Sequence, residues 1–195
     1  DVLPGFSVQN RYNSQRAPAV ARLGTNRLLV WADDRYQLSL GSVATTIHGA
    51  LSTTFDPAGG AMVDAIGSGT APRVASNGAE FLVSWQTPSS YSPLSEVFVR
   101  PLFLDGGAGG TVHLGDGDLG ELISLDGGYL VVWRRGGAFE ATFLASTGAI
   151  LTRHEFGPHI FDATSARALW SNDSILTVWS GPPASPMIRS SRMAV

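Results

Sequence analysis

Four segments of this chain end alike, in Val30-Trp31, Ser84-Trp85, Val132-Trp133 and Val178-Trp179. Successive tryptophans stand 54, 48 and 46 residues apart, and the residues after Trp179 together with those up to Trp31 number 47. A spacing that closes when the chain is drawn as a circle predicts a ring of four repeats. It constrains the fold more than any other feature, because each repeat must supply one small unit that stacks on its neighbours.

Aligned on tryptophan without gaps, residues 20–31, 74–85, 122–133 and 168–179 each read as apolar strand, tight turn, apolar strand. The turns are Gly24-Thr25-Asn26, Asn77-Gly78-Ala79, Asp126-Gly127-Gly128 and Asn172-Asp173-Ser174, residues that tolerate the left-handed backbone of hairpins. Leu28, Leu82, Leu130 and Leu176 share one column and Leu29, Val83, Val131 and Thr177 the next. The second strand is therefore apolar on both faces, as a strand between two neighbouring sheets must be. Third strands are expected at 46–52, 96–103, 138–144 and 187–195, and fourth strands at 61–66, 111–115 and 149–156. The last repeat has no fourth strand of its own, and residues 5–9 stand where one would precede the first repeat.

The pattern predicts an all-β chain folded as a closed four-bladed β-propeller, with the N-terminal strand completing the last blade. One domain over 1–195 is expected, with blades at about 17–66, 71–115, 119–156 and 163–195 plus 5–9. The alternatives are a fragment of a larger propeller or a two-sheet sandwich, and a sandwich would leave the phased termini unexplained.

Composition agrees with short strands and excludes several chemistries. Charged residues are 15%, against roughly 25% in an average globular protein, and 23 glycines and 11 prolines break up the apolar runs. All 13 cationic residues are arginine, which removes Schiff-base, lysine-nucleophile and P-loop chemistry. Without cysteine there are no disulfides, thiolate nucleophiles or sulfur-ligated metals. A net charge of -3 with scattered arginines argues against nucleic acid as a partner. No segment approaches the 18 or so apolar residues of a membrane span. A chain beginning at Asp1 is expected to be a mature protein or an excised domain from which any targeting peptide is gone.

Ala17-Pro18-Ala19-Val20-Ala21 with Leu28-Leu29-Val30-Trp31, and Ala71-Pro72-Arg73-Val74-Ala75 with Phe81-Leu82-Val83-Ser84-Trp85, resemble the tandem propeller repeats of exported bacterial proteins. The third and fourth repeats lack the Pro-x-Val-Ala element. That resemblance implies a propeller in a secreted or cell-surface protein and carries no single activity. A weaker similarity, through Phe161-Asp162-Ala163 and the blade count, is to the hemopexin-like fold, a four-bladed binding module. It implies no particular ion ligands here, and the cysteine pair that often ties its first and last blades is absent.

Loops that vary in length on a rigid scaffold are where binding concentrates. Here they follow the tryptophans, so the expected function is non-catalytic recognition of a glycan or protein through Asp33, Arg35, Tyr36, Tyr91, Arg134 and Arg135, with Trp170 at or in the channel. Carboxylate, guanidinium and aromatic groups together suit a sugar or a protein surface. The alternative is a hydrolase- or cyclase-like enzyme whose acid and base come from His159, Asp162, Asp116 and Asp118 at the channel mouth. No cofactor is expected apart from an ion such as calcium on the axis, and Asp116-Gly117-Asp118 offers oxygen ligands of that kind. His48, His113, His154 and His159 show no metal-binding spacing.

Overall fold

A computed structural model describes residues 15–34, 45–53, 61–89, 94–156, 165–171, 174–180 and 188–194. Within them every regular element is a strand. The first sheet contains β1 (Gln15–Leu23), β2 (Asn26–Asp33), β3 (Thr46–Ser52) and β4 (Ala61–Ser68). β5 (Thr70–Ser76), β6 (Phe81–Pro88), β7 (Ser95–Leu102) and β8 (Val112–Asp116) make the second. The third is β9 (Asp118–Leu125), β10 (Gly128–Arg135), β11 (Ala138–Ala145) and β12 (Ile150–Phe156). β13 (Ser165–Ser171), β14 (Ser174–Ser180) and β15 (Ile188–Ala194) form the fourth. Each sheet is an antiparallel meander in chain order. Gly24 and Gly127, at φ +61° and +73°, make the tight turns that start the first and third hairpins.

The expected third strands match β3, β7, β11 and β15 to within a residue, and the first strands of successive sheets adjoin, β1 by β5, β5 by β9 and β9 by β13. Residues 5–9, assigned above to closing the last sheet, lie outside the described residues.

The core lies between the sheets, not within any one of them. Leu28, Val30 and Ala32 of β2 cluster with Phe81, Val83 and Trp85 of β6. Leu82, between Phe81 and Val83, turns the other way and joins Tyr129, Val131 and Trp133 of β10. Leu130 and Val132 of β10 in turn meet Ile175 of β14. Alternate residues of β6 and of β10 therefore serve opposite neighbours, which is why these strands are apolar on both faces. Each buried Leu or Val side chain contributes about 1.5–3 kcal/mol. On β14 the equivalents of Leu28 and Val30, Leu176 and Val178, remain 40% and 37% exposed.

A second device joins the sheets. Gly67 and Gly69, at the end of β4, lie against Trp85 of the next sheet, where a Cβ on Gly67 would stand 2.4 Å from the indole and one on Gly69 2.4 Å from the Gln86 carbonyl oxygen. Gly115 and Gly117 lie in the same way against Trp133 and the Arg134 carbonyl oxygen. Both pairs precede their tryptophan by 18 and 16 residues. The second glycine of each donates its N–H to its own sheet, Gly69 to Thr45 O at 2.7 Å and Gly117 to Ser95 O at 2.6 Å. It is held from one side and covers an indole on the other.

Tyr129 adds a polar bond between sheets, its hydroxyl donating to Glu80 O in the β5–β6 turn at 2.7 Å. Burial first, and the Glu80 carboxylate second, push its pKa well above the ordinary tyrosine value. The folded state therefore holds this proton more tightly than the unfolded chain. The resulting stability is complete below about pH 10, where an unfolded tyrosine ionises, and is lost as pH rises further. Alkaline spectrophotometric titration should show one of the four tyrosines ionising late, and Tyr129→Phe should remove that late step. Ionisation of all tyrosines together in the folded wild type would contradict this.

Candidate functional site

The variable loops leave from the ends of β2, β6 and β10, and the residues expected to bind there divide sharply. Asp33 is only 1% exposed and accepts hydrogen bonds from the Trp31 indole and from Gln15 Nε2, each at 3.3 Å. It ties β1 to β2 instead of entering a loop. Beside it Asp34 accepts from Arg16 Nη2 at 2.5 Å. Arg134 pairs with Asp118 across the β9–β10 ladder. Arg135 reaches Glu140 at 3.3 Å, and this buried carboxylate also takes Arg153 at 3.4 Å and the Thr142 hydroxyl at 3.2 Å. Trp133 Nε1 donates to that same hydroxyl at 3.0 Å. Arg35, Tyr36, Tyr91, His159 and Asp162 lie outside the described residues, as does the side chain of Trp170, whose backbone pairs with Ile175.

Asp116 and Asp118 end in different sheets. With Asp118 held by Arg134, Asp116 turns to partners that no local motif announced. The ladders pair Trp85 with Phe98, Thr87 with Glu96, Phe98 with His113 and Glu96 with Asp116, so these six side chains share the face of the second sheet turned toward the first. A cavity of about 330 Å³ opens on this face, lined by Gly67, Ser68, Trp85, Thr87, Phe98 and Thr111. Rings stack along this face: Trp85 lies 5.9 Å from Phe98, and Phe98 4.8 Å from His113. The Thr87 hydroxyl donates to Ser68 O at 2.6 Å across the boundary between sheets. At one end Glu96, His113 and Asp116 bring three ligand atoms within 4.8 Å of one another. Sequence reasoning missed Glu96 and His113 because they meet across a ladder. The available signal was the alternation of Glu96 and Phe98 on a strand paired with the one that carries His113 and Asp116.

No family model matches the chain, and no curated protein matches it. Solved structures do. A neuraminidase-like protein from A/bat/Guatemala/164/2009 aligns with a TM-score of 0.57 at 11% identity, over 86% of this chain and 48% of that one. The β-propeller domain of the Trilobed protease from Pyrococcus furiosus aligns at 0.53 and 11% identity, over 94% and 57%. A GH43_1 enzyme from Xanthomonas citri complexed with xylose aligns at 0.58 and 9% identity, over 94% and 71%. The fold is a β-propeller. The chain spans about half the length of the first of these structures, and at such identities the likeness is one of fold.

In a propeller the first strand of each sheet borders the axis, and here three of those strands carry charge at one level. Twelve residues before each tryptophan stand Ala19, Arg73, Glu121 and Arg167. Arg73 Nε lies 3.8 Å and Arg167 Nε 3.7 Å from the Glu121 carboxylate. Burial lowers the Arg73 pKa, with Glu121 acting in the opposite direction. The carboxylate at this level of the propeller axis is thus flanked by two guanidiniums and balanced by them. Glycoside hydrolysis needs two carboxyl groups across a site, one of them protonated.

Proposed function

We propose that this propeller is a non-catalytic module that binds carbohydrate in the groove between its first and second sheets. The observation that carries the reading is the cavity itself, where the half-buried ring of Phe98 stands among Ser68, Thr87 and Thr111 while Trp85 packs beneath, only 2% exposed. A pyranose presents apolar C–H faces and a rim of hydroxyls, and an aromatic ring beside small hydroxyl-bearing residues complements both. The xylose bound to the GH43_1 enzyme among the structural neighbours supports a saccharide over a protein as the ligand. The Arg73–Glu121–Arg167 arrangement supports binding over catalysis, since it offers no spare acid or base. Two guanidiniums against one carboxylate also make this level of the axis a poor place for calcium. In this reading four blades form the ring, residues 5–9 close it, and the protein is exported or displayed at a cell surface.

The test is a glycan array followed by calorimetric titration of the strongest oligosaccharide. Phe98→Leu keeps apolar bulk and removes the ring, so it should weaken binding at least tenfold while the melting temperature stays within a few degrees. Unaltered affinity in a folded Phe98→Leu variant would overturn the groove. Release of reducing sugar by the wild type, abolished in Glu96→Gln, would overturn the non-catalytic reading in favour of a hydrolase.

A further inference from the structure

We infer that Glu96, His113 and Asp116 form a binding site for a divalent first-row transition metal ion, with zinc the representative case. The site stands independently of glycan recognition. One imidazole nitrogen and two carboxylate oxygens lie within 4.8 Å of one another at the loop-bearing end of the second sheet. Four-coordinate zinc with bonds of about 2.1 Å holds its ligand atoms about 3.4 Å apart. Glu96 is half-buried, and His113 and Asp116 are exposed, so small side-chain rotations close that gap.

Two features of the strands assemble the set. Residues three apart on a regular strand point to opposite faces, which would part His113 from Asp116. The β7–β8 ladder, however, pairs Val97 with Gly115 and then Phe98 with His113, so Leu114 is an extra residue. That bulge, with Gly115 at φ +141°, returns both side chains to the Glu96 face. Stacking on Phe98 then limits where the His113 ring can turn. The first sheet supplies an internal comparison. Its β3–β4 ladder carries a shift at the same place, but Thr46 and Ser68 occupy the positions of Glu96 and Asp116. Both ladders are irregular here, the first skipping His48 and residues 64–66 and the second Leu114 alone, and the three ligands belong to the second sheet.

Donor chemistry selects the ion. Calcium and magnesium prefer shells made entirely of oxygen, whereas an imidazole with carboxylates suits zinc, manganese, cobalt or nickel. Three protein ligands leave coordination positions for water or an incoming ligand. Titration calorimetry of the intact protein with zinc chloride should show one site of micromolar affinity, with calcium chloride giving none at the same concentrations. His113→Ala and, separately, Glu96→Gln should each weaken zinc binding at least tenfold, with unchanged circular dichroism spectra. Cobalt(II) added in place of zinc should give a visible absorption band that His113→Ala abolishes. Failure of the wild type to take up zinc at 100-micromolar concentrations, on the order expected for a weak site, would overturn the assignment. So would retention of wild-type affinity by either folded variant.

Discussion

Gly117→Ala should cost about 3 kcal/mol or more, enough to lower the melting temperature by about 6–12 °C in a chain of this size. The added Cβ would stand 2.1 Å from the Arg134 carbonyl oxygen and 2.6 Å from the Trp133 ring. The first obstacle is backbone in a paired strand and the second a fully buried indole, so neither yields by a rotamer change. Gly117 cannot retreat, because its N–H is bonded to Ser95 O. Gly69→Ala meets the same arrangement around Trp85, with the added strain of φ +150°, and should behave alike. Gly110→Ala, where a Cβ meets open space, is the matched control and should be nearly neutral. Chemical denaturation of the three variants decides the matter. A loss below about 1 kcal/mol for Gly117→Ala would mean that the contact between sheets is looser than described.

Trp133→Ala should be the most damaging single truncation, at about 4 kcal/mol. The ring is fully buried between the second and third sheets and holds a polar chain in place, since Nε1 donates to Thr142, whose hydroxyl donates to Glu140, where Arg135 and Arg153 converge. Truncation opens a cavity and leaves a buried hydroxyl short of a donor. Trp133→Phe separates the two effects, keeping most of the packing and losing about 1–2 kcal/mol for the hydrogen bond. Combining Trp133→Ala with Gly117→Ala should cost less than the two single losses together, because the smaller side chain removes part of the clash. Strict additivity would mean that the glycine and the indole do not share one contact.

What was legible in the sequence was whatever repeats along the chain. The tryptophan column, the four hairpins and the two-faced second strand follow from turn chemistry and from burial on both sides, so β2, β6, β10 and β14 appear where alignment puts them. The Gly-x-Gly pairs at 67–69 and 115–117 were visible but carried no meaning by themselves, because their purpose is a contact with the next sheet. Asp116-Gly117-Asp118 shows the difficulty well. As a tripeptide it suggests one oxygen-rich turn, yet its aspartates belong to different sheets, Asp118 paired with Arg134 and Asp116 within 4.8 Å of Glu96 and His113. Asp33 was misjudged as a loop residue because the end of β2 extends two residues past its tryptophan, far enough to bury the carboxylate under the Trp31 indole nitrogen. Such contacts depend on ladder register, and a single bulge at Leu114 decides which side chains meet.

The knob of tryptophan and its glycine socket sit on opposite sides of the second sheet, so this unit has a front and a back. A module of that kind couples to copies of itself in one direction only, as links in a chain do, and never face to face. Its geometry therefore admits a ring or an endless array but no mirror-paired dimer through these surfaces. Gene duplication could lengthen such a protein one link at a time with every new joint already matched, and the number of links would then be settled by how sharply each turns against the next.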